Sequence, residues 1–473
     1  MHITSTNTRP VQARPGLAEP TKEFSYNPQD SVSLEAGTTR LQVREDGSTD
    51  KLKVMGGLAP NDQGQFVYAG GDSRFHGANA FASAARTLAL FEQAYGEPIG
   101  WSTGRPQLEI HPDNGQVLNA FYSRDDKGLF FFHSTDPVTG KVVYGADSGE
   151  VTSHETGHAI LDAIRPGYMS SWSGDAAGFH ESFGDVLAIL TVMQDDRVLS
   201  KMAEQTGGDL RQPNLVAALG EELGITINHT AGKNATGGDF TRNAINDFVW
   251  QAPSSLPETA PPDKLSSEPH SWSRLWTGAV YDVLGELVKE RLTDSPDVKA
   301  ALSGARDELT EMYGRLMRQA PKGGFKYKQM AAAFIQSDLD QNGGKRASML
   351  GKVFAHRKIL GGESKVADSA ALAPGGSRRL EVTLDGPEFG RFSGARVVSN
   401  ESADSLGLTA DRAAAQELKD RLKQLIKNGD ILYTEPNSNP ATSGLFKSDG
   451  HPYAGVVRWV DGQMSIERVL IAT

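Results

Sequence analysis

Residues 148–166 read SGEVTSHETGHAILDAIRP, and this stretch decides how the rest of the chain is interpreted. Residues four apart lie on one face of a helix, so His154 and His158 can reach a single metal ion. Glu155 follows the first histidine and projects beside the metal, where it can take a proton from a water molecule. Apolar residues at helical intervals predict one helix that ends before Pro166. The pattern indicates the metal site of a hydrolase.

A third metal ligand must come from elsewhere, because a catalytic zinc ion takes three protein ligands and leaves a fourth position for water. The longer pattern HExxHxxGxxH is excluded, since Leu161 and Ile164 stand at its glycine and histidine positions. The next predicted helix, residues 176–190, carries Glu181 and Asp185 one turn apart. Glu181 can be the third ligand, and Asp185 can accept a hydrogen bond from a ligand histidine and fix its tautomer.

The HExxH motif followed by Glu181 resembles the thermolysin-like gluzincin zinc metallopeptidases over roughly residues 65–360. The resemblance implies an α+β fold of two lobes, a β-rich N-terminal lobe and a mainly α-helical C-terminal lobe, here followed by a small α+β module. It implies Zn²⁺ as the cofactor, held by His154, His158 and Glu181. It also implies hydrolysis of peptide bonds with Glu155 as the general base.

Other segments extend the resemblance. Asn119 and Ala120 open a segment similar to the family's edge strand, whose backbone pairs with an extended substrate. Arg242 stands in a segment similar to the one whose arginine shapes the pocket and holds a substrate carbonyl. His270 resembles the histidine that stabilises the developing oxyanion.

The chain departs from the family around two of these residues. Leu265 stands where the family has the aspartate partner of its oxyanion histidine. Asp263 and Glu268 are nearby, so the partner of His270 is unassigned. His180 replaces the asparagine that usually precedes the third ligand, and its pattern predicts a structural or exposed histidine.

Two further family features are open. Tyr168 and Trp172 precede the second helix where the family has a tyrosine that assists the oxyanion, but the loop is longer here and neither is chosen. The family's main calcium site needs an acidic cluster after the third-ligand helix. Only Glu150 has a comparable place in this chain, so a structural Ca²⁺ ion is doubtful.

Composition narrows the partners and the compartment. The net charge is −11 with no block of lysine and arginine, which argues against nucleic acid as a partner. The absence of cysteine excludes a disulfide-stapled module and a thiolate zinc site. No apolar run is long enough for a membrane span. The first residues lack the apolar core of a signal peptide, which predicts a cytoplasmic protein or export, for example as an effector, by a route that needs no such signal.

The pattern along the chain predicts several units. A helical pattern starts near residue 148, a Gly/Pro-containing stretch follows near residue 361, and an Asp461-Gly462 hairpin marks the last unit. The predicted units are a disordered or extended, mobile N-terminal segment over 1–50, a β-rich lobe over 51–147, a helical zinc lobe over 148–360, a linker over 361–377 and an α+β module of open role over 378–473.

The sequence favours a zinc endopeptidase acting on a protein or peptide. One alternative is an aminopeptidase, although such gluzincins carry a G-x-M-E-N-like strand that is not found here. Others are a narrow-specificity effector protease and a non-catalytic binding scaffold, although the catalytic Glu155 and both histidines are intact. The natural substrate and the oligomeric state stay open.

Overall fold

The structure is a computed structural model that describes residues 19–69, 71–232, 235–361, 377–402, 408–448 and 451–472. Helices account for 44% of the residues and strands for 16%, which confirms the mixed α+β class. The first elements along the chain are β1 (Thr21–Tyr26), β2 (Gly37–Gln42), β3 (Leu52–Val54), α1 (Arg74–Tyr95), β4 (Leu108–His111), β5 (Ala120–Ser123), β6 (Gly128–Phe131), β7 (His133–Thr135) and β8 (Val142–Tyr144).

Helices dominate the middle of the chain, and strands return after it. The middle elements are α2 (Gly149–Ile164), α3 (Gly174–Val192), α4 (Asp196–Thr206), β9 (Ala218–Leu219), α5 (Glu221–Ala231), β10 (Arg242–Asn243), α6 (Pro269–Asp294), α7 (Val298–Gln319), α8 (Tyr327–Asn342) and α9 (Ala347–His356). The last are β11 (Ser377–Thr383), β12 (Arg396–Ser402), α10 (Leu408–Lys427), β13 (Ile431–Leu432), β14 (Gly455–Val460), β15 (Gln463–Arg468) and β16 (Ile471–Ala472).

The segment before β3 is folded onto the core. Strands β1 and β2 pair antiparallel, and the buried ring of Phe24 stacks on Phe66 and Phe81 at 4.7 and 5.2 Å. The expected mobile extension over residues 1–50 is therefore corrected for β1 and β2, because the aromatic side chains of β1 are more stable inside the core than in water. Residues 1–18 of that extension lie outside the described residues.

A five-stranded mixed sheet forms one side of the region before α2. Its strand order is β16-β5-β6-β4-β3, in which β5 pairs antiparallel with both β6 and β16. Helix α1 packs against this region with a face of small side chains and Phe81. Strand β16 comes from the far end of the chain, so the sheet joins two distant parts of the sequence.

The central helices pack around α3. Helix α3 contacts α2 on one side and α6 on the other, and it is buried along almost its whole length. A single hydrophobic cluster runs from Phe24 to Leu360 and includes residues of the sheet region and of the helices. No helix in the described ranges has both the length and the apolar character needed to cross a membrane.

Residues after β11 form a module with its own core. The strand order β11-β12-β15-β14-β13 makes a second sheet, and Leu422 of α10 packs with Val397 and Ile466 of that sheet. Asp461 and Gly462 have φ values of 50° and 76°, as the predicted hairpin turn between β14 and β15 requires. Of the linker expected over 361–377, residues 362–376 lie outside the described residues.

Candidate metal centre

Helix α2 presents both histidines of the HExxH motif on one buried face. Ser148 caps the helix by accepting a hydrogen bond from the Val151 N–H at 3.2 Å. The rings of His154 and His158 lie one turn apart with centroids 4.5 Å from each other and are nearly perpendicular. Both side chains are buried, so their ring nitrogens face other protein groups rather than bulk water.

Helix α3 brings the carboxylate of Glu181 to these histidines. Its oxygens lie 3.4 Å from Nε2 of His154 and 3.7 Å from Nε2 of His158. The three groups form a buried set whose ligand atoms all lie within 4.8 Å of one another. Ser173 caps α3 by accepting from the Ala176 N–H.

Two glycines allow this approach of α2 and α3. A Cβ atom on Gly157 would lie 2.9 Å from Cα of Gly184. A Cβ atom on Gly184 would lie 2.7 Å from Nδ1 of His154. Real Cβ contacts essentially never fall below 3.0 Å, so side chains at these positions would push the helices or the imidazole apart. The small residues therefore set the distance across which the ligands meet.

Asp185 contacts His154 on the Nδ1 side of its ring, and Arg242 pairs with Asp185. Oδ1 of Asp185 lies 3.0 Å from Nδ1 of His154, and the Arg242 guanidinium donates to the same carboxylate at 2.8 Å. Burial works against the Asp185 carboxylate, but Arg242 and His154 hold its pKa at about 2. Burial likewise opposes the His154 cation, yet hydrogen bonds to Asp185 and Glu181 raise its pKa to about 9. Nδ1–H thus points at Asp185, which leaves Nε2 directed toward Glu181.

His180 holds the second histidine. Its Nδ1 lies 2.7 Å from Nδ1 of His158, so one ring donates to the other. Burial, assisted by the nearby His154, lowers the pKa of His158 well below its usual range. Burial also lowers the pKa of His180, to about 3. Both rings are therefore neutral, and His180 is a buried partner of His158 rather than an exposed histidine.

Glu155 lies beside this set and lines the cleft. The residue is 3% exposed, and burial raises the pKa of its carboxyl to about 8. Within the described part of the chain its Oε2 has no hydrogen-bond partner. A buried carboxyl group with a raised pKa is suited to taking and returning a proton near neutral pH.

His270 approaches from the start of α6. Its Nε2 lies 3.3 Å from Oε2 of Glu181, and its Nδ1 lies 2.5 Å from Oε1 of Glu268. Glu268 also caps α6 by accepting from the His270 and Ser271 N–H groups. The sequence left Asp263 and Glu268 as possible partners, and the structure places Glu268 at His270. Burial opposes the imidazolium, but Glu181 and Glu268 raise the pKa of His270 to about 10.

An open cleft of about 710 Å³ leads to these groups. Asn119 and Ala120 line it, and so do Arg242 and His270. On the outer edge of β5, β16 pairs with Tyr122 and Ser123 and, among the described residues, does not reach Ala120.

Neither aromatic residue considered for the oxyanion directs its polar atom to the metal set. The hydroxyl of Tyr168 donates to the Pro321 carbonyl at 2.6 Å. The indole N–H of Trp172 donates to the Val398 carbonyl at 3.1 Å, inside the core of the last module. His451 of that module instead lines the cleft, with its ring centroid 5.5 Å from that of His270.

A second group of carboxylates lies beside the start of α2. Oxygens of Asp30, Glu150 and Glu221 lie within 4.8 Å of one another, a spacing that could hold a cation. The Gln29 amide and the Gly220 N–H donate to Glu150 at 2.9 and 3.0 Å. The three carboxylates come from distant segments, so the sequence singled out only Glu150. The view that a structural Ca²⁺ ion is doubtful stays a prediction.

Comparisons with known proteins leave the site to be judged on its own geometry. No protein-family model matches the chain, and no curated protein matches it.

Sequence reasoning missed two contributors to the site and left a third unassigned. His180 had a signal, since it precedes the third predicted ligand and replaces a polar residue of the similar family. Glu268 lies two residues before His270, the usual spacing for a carboxylate that caps a helix, but nothing in the sequence ranked it above Asp263. His451 had no signal, because its place beside His270 depends on how the last module packs.

Proposed function

We propose that the protein is a zinc-dependent endopeptidase whose residues 51–147 and 148–360 form the two lobes of a thermolysin-like cleft. The observation that carries the proposal is the buried meeting of His154, His158 and Glu181, of which His154 lines the cleft together with Glu155. Two imidazoles and one carboxylate form a donor set typical of catalytic zinc.

The donor atoms fit a zinc ion. A tetrahedral zinc site with bonds of about 2.1 Å separates its ligand atoms by about 3.4 Å. The observed separations from Glu181 oxygens to the two Nε2 atoms are 3.4 and 3.7 Å. Among the described residues, Nε2 of His158 and Oε2 of Glu181 have no hydrogen-bond partner. Buried polar atoms of this kind cost free energy unless something binds them, so a cation between them explains both.

A zinc ion held there would polarise the scissile carbonyl and lower the pKa of a water molecule. Glu155 takes the proton of that water and passes it to the leaving amine, for which its place beside His154 on the cleft wall is suited. The His270 cation, kept charged by Glu268, stabilises the oxyanion. Arg242 acts from farther out, through its ion pair with Asp185 and its place on the cleft wall.

The substrate is proposed to be a protein or peptide bound in extended form. The backbone of a substrate strand would lie antiparallel to β5 at Asn119 and Ala120, which line the cleft. In such an arrangement the main-chain hydrogen bonds would contribute affinity that does not depend on the substrate's side chains. An aminopeptidase or a narrow-specificity effector protease would use the same catalytic groups, and a binding scaffold would not need Glu155.

Metal content and hydrolysis, measured together, test the proposal. We expect one zinc per chain in the wild type and casein hydrolysis that a chelator abolishes. Glu155→Gln should keep the zinc and lose nearly all turnover, whereas Glu181→Ala should lose both. Glu311→Gln, an exposed carboxylate on α7, is the matched control and should behave as wild type.

The results separate the alternatives. Full hydrolysis by Glu155→Gln would remove the general-base role. Zinc without casein cleavage, but with release of amino-terminal residues from peptides, would indicate an aminopeptidase. Zinc with no hydrolysis of any peptide would favour a scaffold, and zinc retained at wild-type affinity by Glu181→Ala would refute the ligand set.

A further inference from the structure

The edge strand proposed to bind substrate already carries a strand of the same chain. Strand β16 pairs antiparallel with β5, with Ile471 opposite Ser123 and Ala472 opposite Tyr122. The Arg124 N–H donates to the Leu470 carbonyl at 3.3 Å. Hydrogen-bonded pairs alternate along an antiparallel ladder, so the next such pair joins Tyr122 and Ala472. By the same alternation, the Ala120 backbone is the next outward-facing position.

The direction of β16 matches the direction of a bound substrate. Strand β5 starts at Ala120, which lines the cleft, and runs away from it to Ser123. A substrate antiparallel to β5 would thus place residues N-terminal to the scissile bond opposite Tyr122 and Ser123. Strand β16 is also antiparallel and occupies these positions, advancing toward Ala120.

The last module is anchored along this end of the cleft. The Thr442 hydroxyl donates to Asp126, in the turn after β5, at 2.7 Å. The ring of Phe446 lies 5.0 Å from that of Phe121 on β5. Leu470, just before β16, packs on the main hydrophobic core. These contacts fix the module where it can hold β16 on the edge of β5.

The covered end of β5 is itself rigid. The Tyr122 hydroxyl donates to Asp162 of α2 at 2.8 Å, and the Arg124 guanidinium donates to the same carboxylate at 2.8 Å. A polypeptide cannot gain this edge by bending β5 away from β16. It must displace β16 or turn out of the cleft.

We propose that β16 occupies, within the same chain, the stretch of β5 that a substrate needs for residues N-terminal to the scissile bond. The site then selects substrates with few residues N-terminal to the scissile bond, and release of β16 would let the site accept substrates with more residues on that side. This inference rests on the proposed function for the position of the scissile bond. The Ala120 end accepts a short segment, since the described residues of β16 pair with Tyr122 and Ser123 and not with Ala120. The Ala120 N–H donates to the adjacent Asn119 side chain at 2.9 Å, a local contact that a substrate carbonyl would replace.

Substitutions at Ala472 test the proposal on the full-length chain. Ala472→Pro removes the N–H that pairs with Tyr122 and cannot continue the ladder. Ala472→Ser keeps that N–H and is the matched control. Hydrogen exchange should show the Tyr122 and Arg124 amides protected in the wild type and in Ala472→Ser. The Tyr122 amide should exchange at least roughly tenfold faster in Ala472→Pro. Loss of the hydrogen bond from the residue 472 N–H to Tyr122 weakens the strand pairing that also protects the Tyr122 N–H.

The cleavage pattern gives the second readout. Each zinc-loaded protein is given a library of random dodecapeptides, and the lengths of the amino-terminal products are measured by mass spectrometry. The wild type and Ala472→Ser should cut a minor share of peptides at bonds farther in and place most cuts one or two residues from the amino terminus, also when that terminus is acetylated, which an aminopeptidase would not do. Ala472→Pro should raise the share of cuts farther in by roughly tenfold, the effect of about one net hydrogen bond freed for the substrate. The same product lengths from all three proteins would overturn the proposal.

Peptide capture separates this inference from the proposed function. If none of the zinc-loaded proteins cleaves the library, the proposed function fails, and binding decides the role of β16. Ala472→Pro should then retain roughly tenfold more dodecapeptide on a size-exclusion filter than Ala472→Ser does. Equal peptide retention by the two variants would show that β16 does not cover an edge of β5 that binds peptides, and would refute the proposal.

Discussion

Gly184→Ala is a sharp test of how α2 and α3 position the metal ligands. A methyl group at this position would lie 2.7 Å from Nδ1 and 2.8 Å from Cε1 of His154. Ordinary van der Waals contact begins at 3.4 Å, so the imidazole must move by 3.4 − 2.7, or about 0.7 Å. The ring cannot rotate freely, because Asp185 holds its Nδ1 at 3.0 Å and Glu181 lies 3.4 Å from its Nε2.

Two opposing effects decide the size of the change. Overpacking a buried site costs about 1–3 kcal/mol, whereas replacing glycine by alanine inside a helix contributes about 1 kcal/mol in the opposite direction. We therefore expect a net loss of about 0–2 kcal/mol in the free energy of unfolding. A ligand ring displaced from its supporting carboxylate should also lower zinc affinity by about 10- to 100-fold.

Urea unfolding of the apoprotein and zinc competition against a chromophoric chelator measure these quantities separately. Gly351→Ala is the matched control, since Gly351 lies inside α9 and a Cβ there would meet nothing within 4 Å. That variant should be more stable by about 0.5–1 kcal/mol and bind zinc as the wild type does. If Gly184→Ala were as stable as Gly351→Ala and kept wild-type zinc affinity, the contact between α3 and His154 would not limit the site.

Two further predictions test charges at and away from the site. Asp185→Asn keeps the shape of the side chain that faces His154 and Arg242 but removes its charge, so zinc affinity should fall about 10- to 100-fold; an unchanged affinity in chelator competition would contradict that role. Glu308 accepts hydrogen bonds from Arg346 and Arg291 at 2.6 and 2.8 Å, and although burial opposes it, Arg346 lowers its pKa below the usual 4.5. A carboxyl group with a depressed pKa stabilises the fold at pH values above its unfolded-state pKa, and this stabilisation is lost as the pH falls. Glu308→Gln should therefore lower the free energy of unfolding by on the order of 1 kcal/mol at pH 7 and by progressively less below pH 4.5. Urea unfolding at several pH values measures this difference, and a difference that does not vary with pH would refute the linkage.

Local patterns predicted the part of the metal site that lies within single helices. The spacing of His154 and His158 follows from the helical repeat, and so does that of Glu181 and Asp185. The class of the fold also followed from the alternation of strand and helix patterns. The expected mobile segment before β3 was misjudged because a few aromatic residues in a polar stretch bury themselves only against a partner, here Phe66 and Phe81.

Contacts between distant segments could not be derived in this way. The pairing of His180 with His158 depends on the crossing of α2 and α3, and even the local contact of Glu268 with His270 depends on the turn that starts α6. Sequence periodicity states which face of an element is apolar but not which other element covers it.

The sequence by itself determined that His154 and His158 share one face of a helix, and that Glu181 and Asp185 share one face of the next, because the repeat of the α-helix is set by the backbone alone. Tertiary structure alone decided that these faces meet, since the approach depends on the absent side chains of Gly157 and Gly184. It also decided that β16 lies on β5, more than three hundred residues away, because strand edges pair through backbone groups that every residue carries.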